Sequence, residues 1–205
     1  MDNLTQILST FNLAVGKRSP VEIPNANRET LAQLFCALGY KIGVEVGTYK
    51  GLYAEMICKH NPGVKLFCVD PYRQYRNHPK AEDINGAFGE ARARLADYNA
   101  QFVREYSMDV VEDFADNTLD FVYIDGDHEW NAITQDIYWW SRKVRPGGIV
   151  AGHDYRRSRW KHSVLHVVEA VNGYTSAYRI HPWFLLGAKS EEHRDNYRSW
   201  FWVKQ

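Results

Sequence analysis

The 205-residue chain balances 25 Lys and Arg against 25 Asp and Glu, so no global charge draws it to nucleic acid or to an anionic membrane. The length suits a single domain with its own core, at about 100–200 residues per domain; we read 1–40 as N-terminal helices and 41–205 as a sheet core. A basic leader with an apolar centre is missing from residues 1–19, and no apolar run approaches the ~20 residues of a membrane span, so a soluble cytoplasmic protein is expected. Cys36, Cys58 and Cys68 sit in apolar stretches without zinc spacing and read as buried, reduced thiols.

In chain order, apolar residues at 4, 7, 8, 11 and 15 predict a helix over Leu4–Val15, and a second helical pattern covers Thr30–Leu38 before Gly39 stops it. Between them Gly16–Asn27, with Pro20 and Pro24, reads as an irregular tether rather than a lid. From Ile42 strands and helices alternate: strand 42–46, helix 50–60, strand 65–69, helix 81–97, strand 101–104, a short helix 108–114, strand 119–124, helix 129–142 and strand 148–151. That alternation implies an α/β fold, a doubly wound parallel sheet with helices on both faces. Beyond His153 we expect a helix over Ser163–Asn172, a short strand over Ala177–His181 and a last strand over Ser199–Val203, the two strands forming an antiparallel pair. Trp139 and Trp140 occupy adjacent helical positions about 100° apart, so at most one faces the core squarely.

Chemistry concentrates where strands end. In the run Lys41–Gly51, Gly47 and Gly51 allow tight backbone geometry and close approach of a ligand, and the helix that follows opens with free N–H groups. Asp70 closes the next strand roughly 20 residues on, where the doubly wound fold puts its ribose-hydroxyl acceptor. The spacing Gly-x-x-x-Gly is not the dinucleotide fingerprint, which argues against a dehydrogenase and for a cofactor without pyrophosphate. Glu45, just before the first glycine, would repel phosphate and accept hydrogen bonds from a cationic amino-acid group.

The words Val44-Glu45-Val46-Gly47-Thr48-Tyr49-Lys50-Gly51 and Val69-Asp70 resemble the first two motifs of class I S-adenosylmethionine-dependent methyltransferases. Phe121–Trp130 and Arg145–Tyr155 resemble one branch of that superfamily, the methyltransferase domain 24 type, similar to catechol and macrolide-sugar O-methyltransferases. The resemblance covers Gly43–Tyr155 and implies a Rossmann-like seven-stranded sheet with an antiparallel C-terminal pair. It implies S-adenosylmethionine as cofactor, bound by Glu45, Gly47, Thr48, Gly51, Asp70, Ser107 and Asp125, with Asp70 on the ribose, Glu45 and the Gly47 backbone near the methionine end and Ser107 near the adenine, and with Asp125 also catalytic.

Parallel-sheet geometry brings Asp70, Ser107, Asp125, His153 and Asp154 to one crevice. Two carboxylates suffice for magnesium, and the positions of Asp125, His153 and Asp154 match the metal ligands of catechol-type enzymes. The histidine departs from the all-oxygen pattern and favours manganese, iron or zinc. His128 stands where those enzymes carry a catalytic lysine, and a neutral imidazole could take a hydroxyl proton. An Asp-Gly-Asp-His turn can also exist merely to cap a helix, which accounts for one acid and not for the separate His153–Asp154 pair.

The expected activity is O-methylation of a small-molecule hydroxyl. The basic run Arg156-Arg157-Ser158-Arg159-Trp160-Lys161 fits an anionic acceptor, with Arg156 or Arg157 meeting its charge. RNA or protein methylation, and a cofactor-binding relative with other or no chemistry, are the alternatives. The sequence names no acceptor and leaves self-association open.

Overall fold

Ile42–Val46 alternates little and is almost wholly apolar, the composition of a strand covered on both faces. In the computed structural model, which describes residues 2–14, 16, 18–73, 81–157, 159–160, 163–187 and 197–205, it is the strand β2, beside the centre of the sheet. The elements are α1 (Asn3–Thr10), β1 (Val21–Ile23), α2 (Arg28–Ala37), β2 (Ile42–Val46), α3 (Leu52–His60), β3 (Lys65–Val69), α4 (Ala81–Arg94), β4 (Ala100–Val103), α5 (Ser107–Val110), β5 (Leu119–Ile124), α6 (Trp130–Lys143), β6 (Val144–Gly152), β7 (Arg159–Trp160), β8 (Ser163–Val164), α7 (Val167–Ala177), β9 (Phe184–Leu186) and β10 (Trp200–Val203). A single 3-10 turn, Val111–Asp113, extends α5.

The main sheet has eight strands in the order β1-β9-β10-β6-β5-β2-β3-β4, and β7 and β8 form a separate two-stranded ribbon. Strands β4, β3, β2, β5 and β6 run parallel, and β10 inserts antiparallel between β6 and β9. The doubly wound sheet and its antiparallel C-terminal pair are as expected, with one strand more than seven. The extra strand is β1: the segment 16–27 is not an irregular tether, because Val21, Glu22 and Ile23 pair in parallel with Phe184, Leu185 and Leu186 at the sheet edge.

Central β5 shows why helices cover both faces. Phe121 and Tyr123 point into a cluster with Phe35, Tyr53 and Ile57 of α2 and α3, while Val122 and Ile124 point into another with Ile133, Ile137 and Trp140 of α6 and Val171 of α7. Phe121 stacks on Phe35 with ring centroids 4.1 Å apart. Each such side chain contributes roughly 1.5–3 kcal/mol when fully buried. Of the adjacent tryptophans, Trp140 is fully buried and Trp139 only partly.

Three expectations need correction. Ala177–His181 is not a strand: α7 runs to Ala177, Arg179 turns with φ 53°, and the apolar stretch Phe184–Leu186 makes the strand instead. Helix α7 starts at Val167, not Ser163, because Ser163–Val164 belongs to the ribbon. Helix α1 stops at Thr10, where Phe11 caps it and Asn12 takes φ 50°. Cys58 and Cys68 are buried free thiols as expected, whereas Cys36 is exposed on α2. The sequence also reads 71–80 as a polar, aromatic loop at the end of a strand and 182–198 as a variable insertion, and residues 74–80 and 188–196 of these lie outside the described residues. Among the described residues no helix is long and apolar enough to cross a membrane.

Candidate active site

The β2–α3 turn is built from glycine by necessity. Gly47 has φ 90°, its amide donates to the Val69 carbonyl at 2.8 Å, and a Cβ there would meet the Asp125 carbonyl oxygen at 2.2 Å. Only glycine lets β2 and β5 deliver their ends so close together. Gly51, with φ 72°, precedes α3 and lies against Ala91 of α4, where a Cβ would stand 3.2 Å from Ala91 Cα. Like Glu45 and Thr48, it does not line the cavity described next.

A cavity of about 430 Å³ opens at the carboxyl ends of β2, β3 and β5. Its wall includes Gly47 and Tyr49 from the turn, Asp70 and Tyr72 after β3, Ser107 and Met108 at α5, Asp125 and Gly126 after β5, and Ala132, Gln135 and Asp136 of α6. Asp70 braces the turn: Oδ2 accepts the Tyr49 amide at 2.8 Å, Oδ1 accepts the Tyr72 amide at 2.8 Å, and the Tyr72 hydroxyl donates to the Tyr49 carbonyl at 2.9 Å. Behind the turn Glu45 and Thr48 are buried, and Glu45 Oε2 and Thr48 Oγ1 have no hydrogen-bond partner among the described residues. Burial, reinforced by the nearby Asp125 and Asp70 carboxylates, pushes the Glu45 carboxyl well above its usual range.

Asp125 also belongs to a second group of side chains. His128 Nε2 lies 3.6 Å and His153 Nδ1 3.7 Å from Asp125 Oδ1, while His128 Nδ1 is 3.4 Å from Asp154 Oδ2 and His153 Nδ1 3.9 Å from Asp154 Oδ1. Ligand atoms of Asp125, His128 and Asp154 all fall within 4.8 Å of one another, so the compact trio contains His128, with His153 beside it. Asp154 holds its place with a left-handed φ of 57°. His128 Nε2 and Asp154 Oδ1 are buried and lack hydrogen-bond partners among the described residues. Burial acts to raise Asp125, but the two imidazoles outweigh it and hold the carboxyl at about 2. Burial acts to lower His128, and the Asp125 and Asp154 carboxylates overcome it and raise the imidazole. The other acid of the turn, Asp127, accepts the Glu129 amide at 2.9 Å in a local turn; the N-cap of α6 is Glu129, which makes no side-chain cap hydrogen bond, so neither acid caps the helix as expected of one of the pair.

Residues 44–155 match a family profile described as a methyltransferase domain, Methyltransf_24, which is more than half of the chain. The chain belongs to this family of class I S-adenosylmethionine-dependent methyltransferases. Curated relatives are distant: the chain is 24% identical over 144 residues to the uncharacterized protein R132 of Acanthamoeba polyphaga mimivirus, covering 68% of this chain and 63% of that protein. It therefore spans less than two thirds of that relative's length. Among solved structures, the fold is similar to the O-methyltransferase from Bacillus cereus in complex with S-adenosylhomocysteine (TM-score 0.61, 17% identity, 98% of this chain and 89% of that one). It is also similar to the O-methyltransferase TomG from Streptomyces achromogenes, involved in tomaymycin synthesis and in complex with S-adenosylmethionine (TM-score 0.60, 15% identity, 100% and 91%). At these identities the likeness is one of fold.

Within this methyltransferase fold, the expected site residues divide into two groups joined by Asp125. Gly47, Asp70, Ser107 and Asp125 line the cavity; His128, His153 and Asp154 gather on the other side of Asp125; Glu45 and Thr48 lie beneath the turn. The two arginines separate. Arg157 Nε pairs with Glu169 of α7 at 3.2 Å, away from the cluster, whereas Arg156 Nε lies 3.8 Å from Asp154 Oδ1 and its guanidinium stacks 3.6 Å over the Tyr197 ring.

Sequence reasoning missed two groups. Arg28, at the start of α2, brings Nη1 to 3.9 Å from Asp125 Oδ2, a contact no local motif announces. Asp136 is 4% exposed, its Oδ1 accepts the Ser107 hydroxyl at 2.5 Å, and Ser107 Oγ in turn accepts Trp140 Nε1 at 2.7 Å. A signal existed: Asp136 stands among Ile133, Ile137 and Trp140 on the buried face of α6, where an unpartnered acid would be costly.

Proposed function

We propose that this protein transfers a methyl group from S-adenosylmethionine to a hydroxyl of a small acceptor. The observation that carries the reading is the meeting, at Asp125, of a nucleoside-sized cavity beside a glycine turn and a buried carboxylate–imidazole cluster. The residues fit the cofactor: Asp70 brings to the cavity wall a carboxylate of the kind that accepts ribose hydroxyls, and Glu45 Oε2 and Thr48 Oγ1, without partners among the described residues, lie under the turn where an amino-acid end would need acceptors. When bound, S-adenosylmethionine supplies a methyl group already activated by its sulfonium, so the protein's task is alignment, removal of the acceptor proton and exclusion of water.

His128 is suited to that proton. Its imidazole is held between Asp125 and Asp154, which orient it and would stabilise the imidazolium formed. Arg156, on the rim beside Asp154, would meet an anionic group on the acceptor.

The same groups fit a divalent ion instead: one ligand atom from each of Asp125, His128 and Asp154 lies within 4.8 Å of the others, with His153 beside them, and His128 Nε2 and Asp154 Oδ1 lack other partners among the described residues. With an ion on its free nitrogen, His128 would no longer take the proton. A bound ion would lower the acceptor hydroxyl's pKa, and the mixed oxygen–nitrogen set favours manganese, iron or zinc over magnesium.

The test is incubation of metabolite extracts with methyl-labelled cofactor, with and without divalent ions, beside calorimetric titration with S-adenosylhomocysteine. Transfer of label to a small hydroxyl compound supports the reading. Absence of cofactor binding would overturn it, and binding without transfer would favour a relative with other chemistry.

A further inference from the structure

Arg28 takes no part in the reading above. It is the first residue of α2 and precedes the matched stretch 44–155. Its backbone is fixed: the Thr30 amide donates to Asn27 Oδ1 at 3.0 Å in a capping box, and the Tyr53 hydroxyl donates to the Arg28 carbonyl at 3.2 Å. The side chain is held less firmly. Its guanidinium stands 5.6 Å from the Tyr53 ring centroid, the side chain keeps 37% exposure, and Nη1 lies 3.9 Å from Asp125 Oδ2, beyond the roughly 2.7–2.9 Å of a charge-assisted hydrogen bond. Asp154 faces a guanidinium too, but that of Arg156 is stacked 3.6 Å over Tyr197 with its Nε buried. Each acid of the Asp125–His128–Asp154 trio thus has an arginine beside it, and the one at Asp125 makes the looser contact with its aromatic neighbour.

We propose that Arg28 competes with a divalent ion for Asp125 and keeps the cluster's hold on that ion weak, so that the ion exchanges with solution instead of being a permanent part of the protein. This inference rests on the divalent-ion reading of the cluster and adds to it a regulating residue from the N-terminal segment. Two cations that share one carboxylate repel each other, and over a few ångströms the repulsion is poorly screened where the shared acid is mostly buried. The anchored backbone and the long coulombic contact let the ion displace the guanidinium across the Tyr53 face while α2 stays in place.

Equilibrium dialysis against manganese alone tests this without any assay of activity. Arg28→Gln should bind manganese about tenfold more tightly than the native protein, or bind it measurably where the native protein does not. Arg28→Lys keeps the charge and should stay within about threefold of native. Adding Asp125→Asn to Arg28→Gln should abolish the gain, which ties it to this carboxylate. Arg28→Met, with an unbranched stem to lie against Tyr53, repeats the measurement should the glutamine variant fold poorly. Equal or weaker binding by the uncharged variants, beside measurable native binding, would overturn the inference and leave the ion reading standing. A gain in Arg28→Lys as large as in Arg28→Gln would overturn it too, since charge would then not be the cause. Failure of both the native protein and the uncharged variants to bind manganese would remove the ion reading and this inference together.

Discussion

Asp70 Oδ2 accepts the Tyr49 amide at 2.8 Å, so the acid after β3 grips the backbone of the turn after β2. One side chain thereby holds the turn's shape and lines the cavity. Asp70→Ala should lose both functions: affinity for S-adenosylhomocysteine should drop at least tenfold, and stability should fall by about 1–3 kcal/mol for the two amides left without their acceptor. Titration calorimetry and thermal unfolding of the same preparation separate the effects, and unchanged affinity would remove Asp70 from cofactor binding.

His128→Ala should lose turnover while keeping cofactor affinity, the pattern of a group acting in the transition state. The flanking carboxylates raise the imidazole above its ordinary 6.5, so in the native protein the rate should climb with pH through a value above 6.5. The same shift fixes the sign for stability: the folded state holds the proton more tightly, so the contribution is complete below the ordinary value and lost as pH rises through the folded one. A pH–rate profile flat from 6 to 9 would exclude His128 as the base.

Asp154→Asn and Asp125→Asn should each weaken divalent-ion binding at least tenfold, since each removes one charged ligand of the trio. Equilibrium dialysis against manganese or zinc, followed by elemental analysis, measures this independently of activity. Retention of full metal binding in both variants, or a native rate unaltered by excess chelator, would leave these carboxylates with orientation of His128 alone.

Burial raises Asp136 to about 7, with the Asp127 charge adding to the effect and Ser107 and His128 opposing it. Its folded value exceeds the ordinary 3.8, so its contribution to stability declines as pH rises from about 4 to about 7. Asp136→Asn, which cannot ionise, should lose that decline, and unfolding of both proteins followed between pH 4 and 7 measures the difference.

What the sequence revealed followed local pattern. The run into Gly47, the acid at Asp70 and the strand-end acid Asp125 were legible because strand period, glycine and a terminal carboxylate occur together within a few residues. Strand β1 was not, since three residues after Pro20 carry little period and their partner lies at the far end of the chain. The shared place of His128 in the trio was hidden because it depends on side-chain direction at the start of α6, where His166 Nδ1 accepts the Trp130 amide at 3.1 Å. Arg28 reaches Asp125 only through the docking of α2, which periodicity cannot orient.

The pairing of Val21–Ile23 with Phe184–Leu186 joins segments far apart in sequence. During synthesis β1 must therefore wait until β9 has emerged, whereas β2, β3 and α3 can associate early. Contacts of such long sequence separation form late and slowly. The edge of the sheet should be the last part to close and the first to open, and amide exchange at Val21, whose N–H donates to the Trp183 carbonyl at 2.8 Å, should run ahead of exchange in β2.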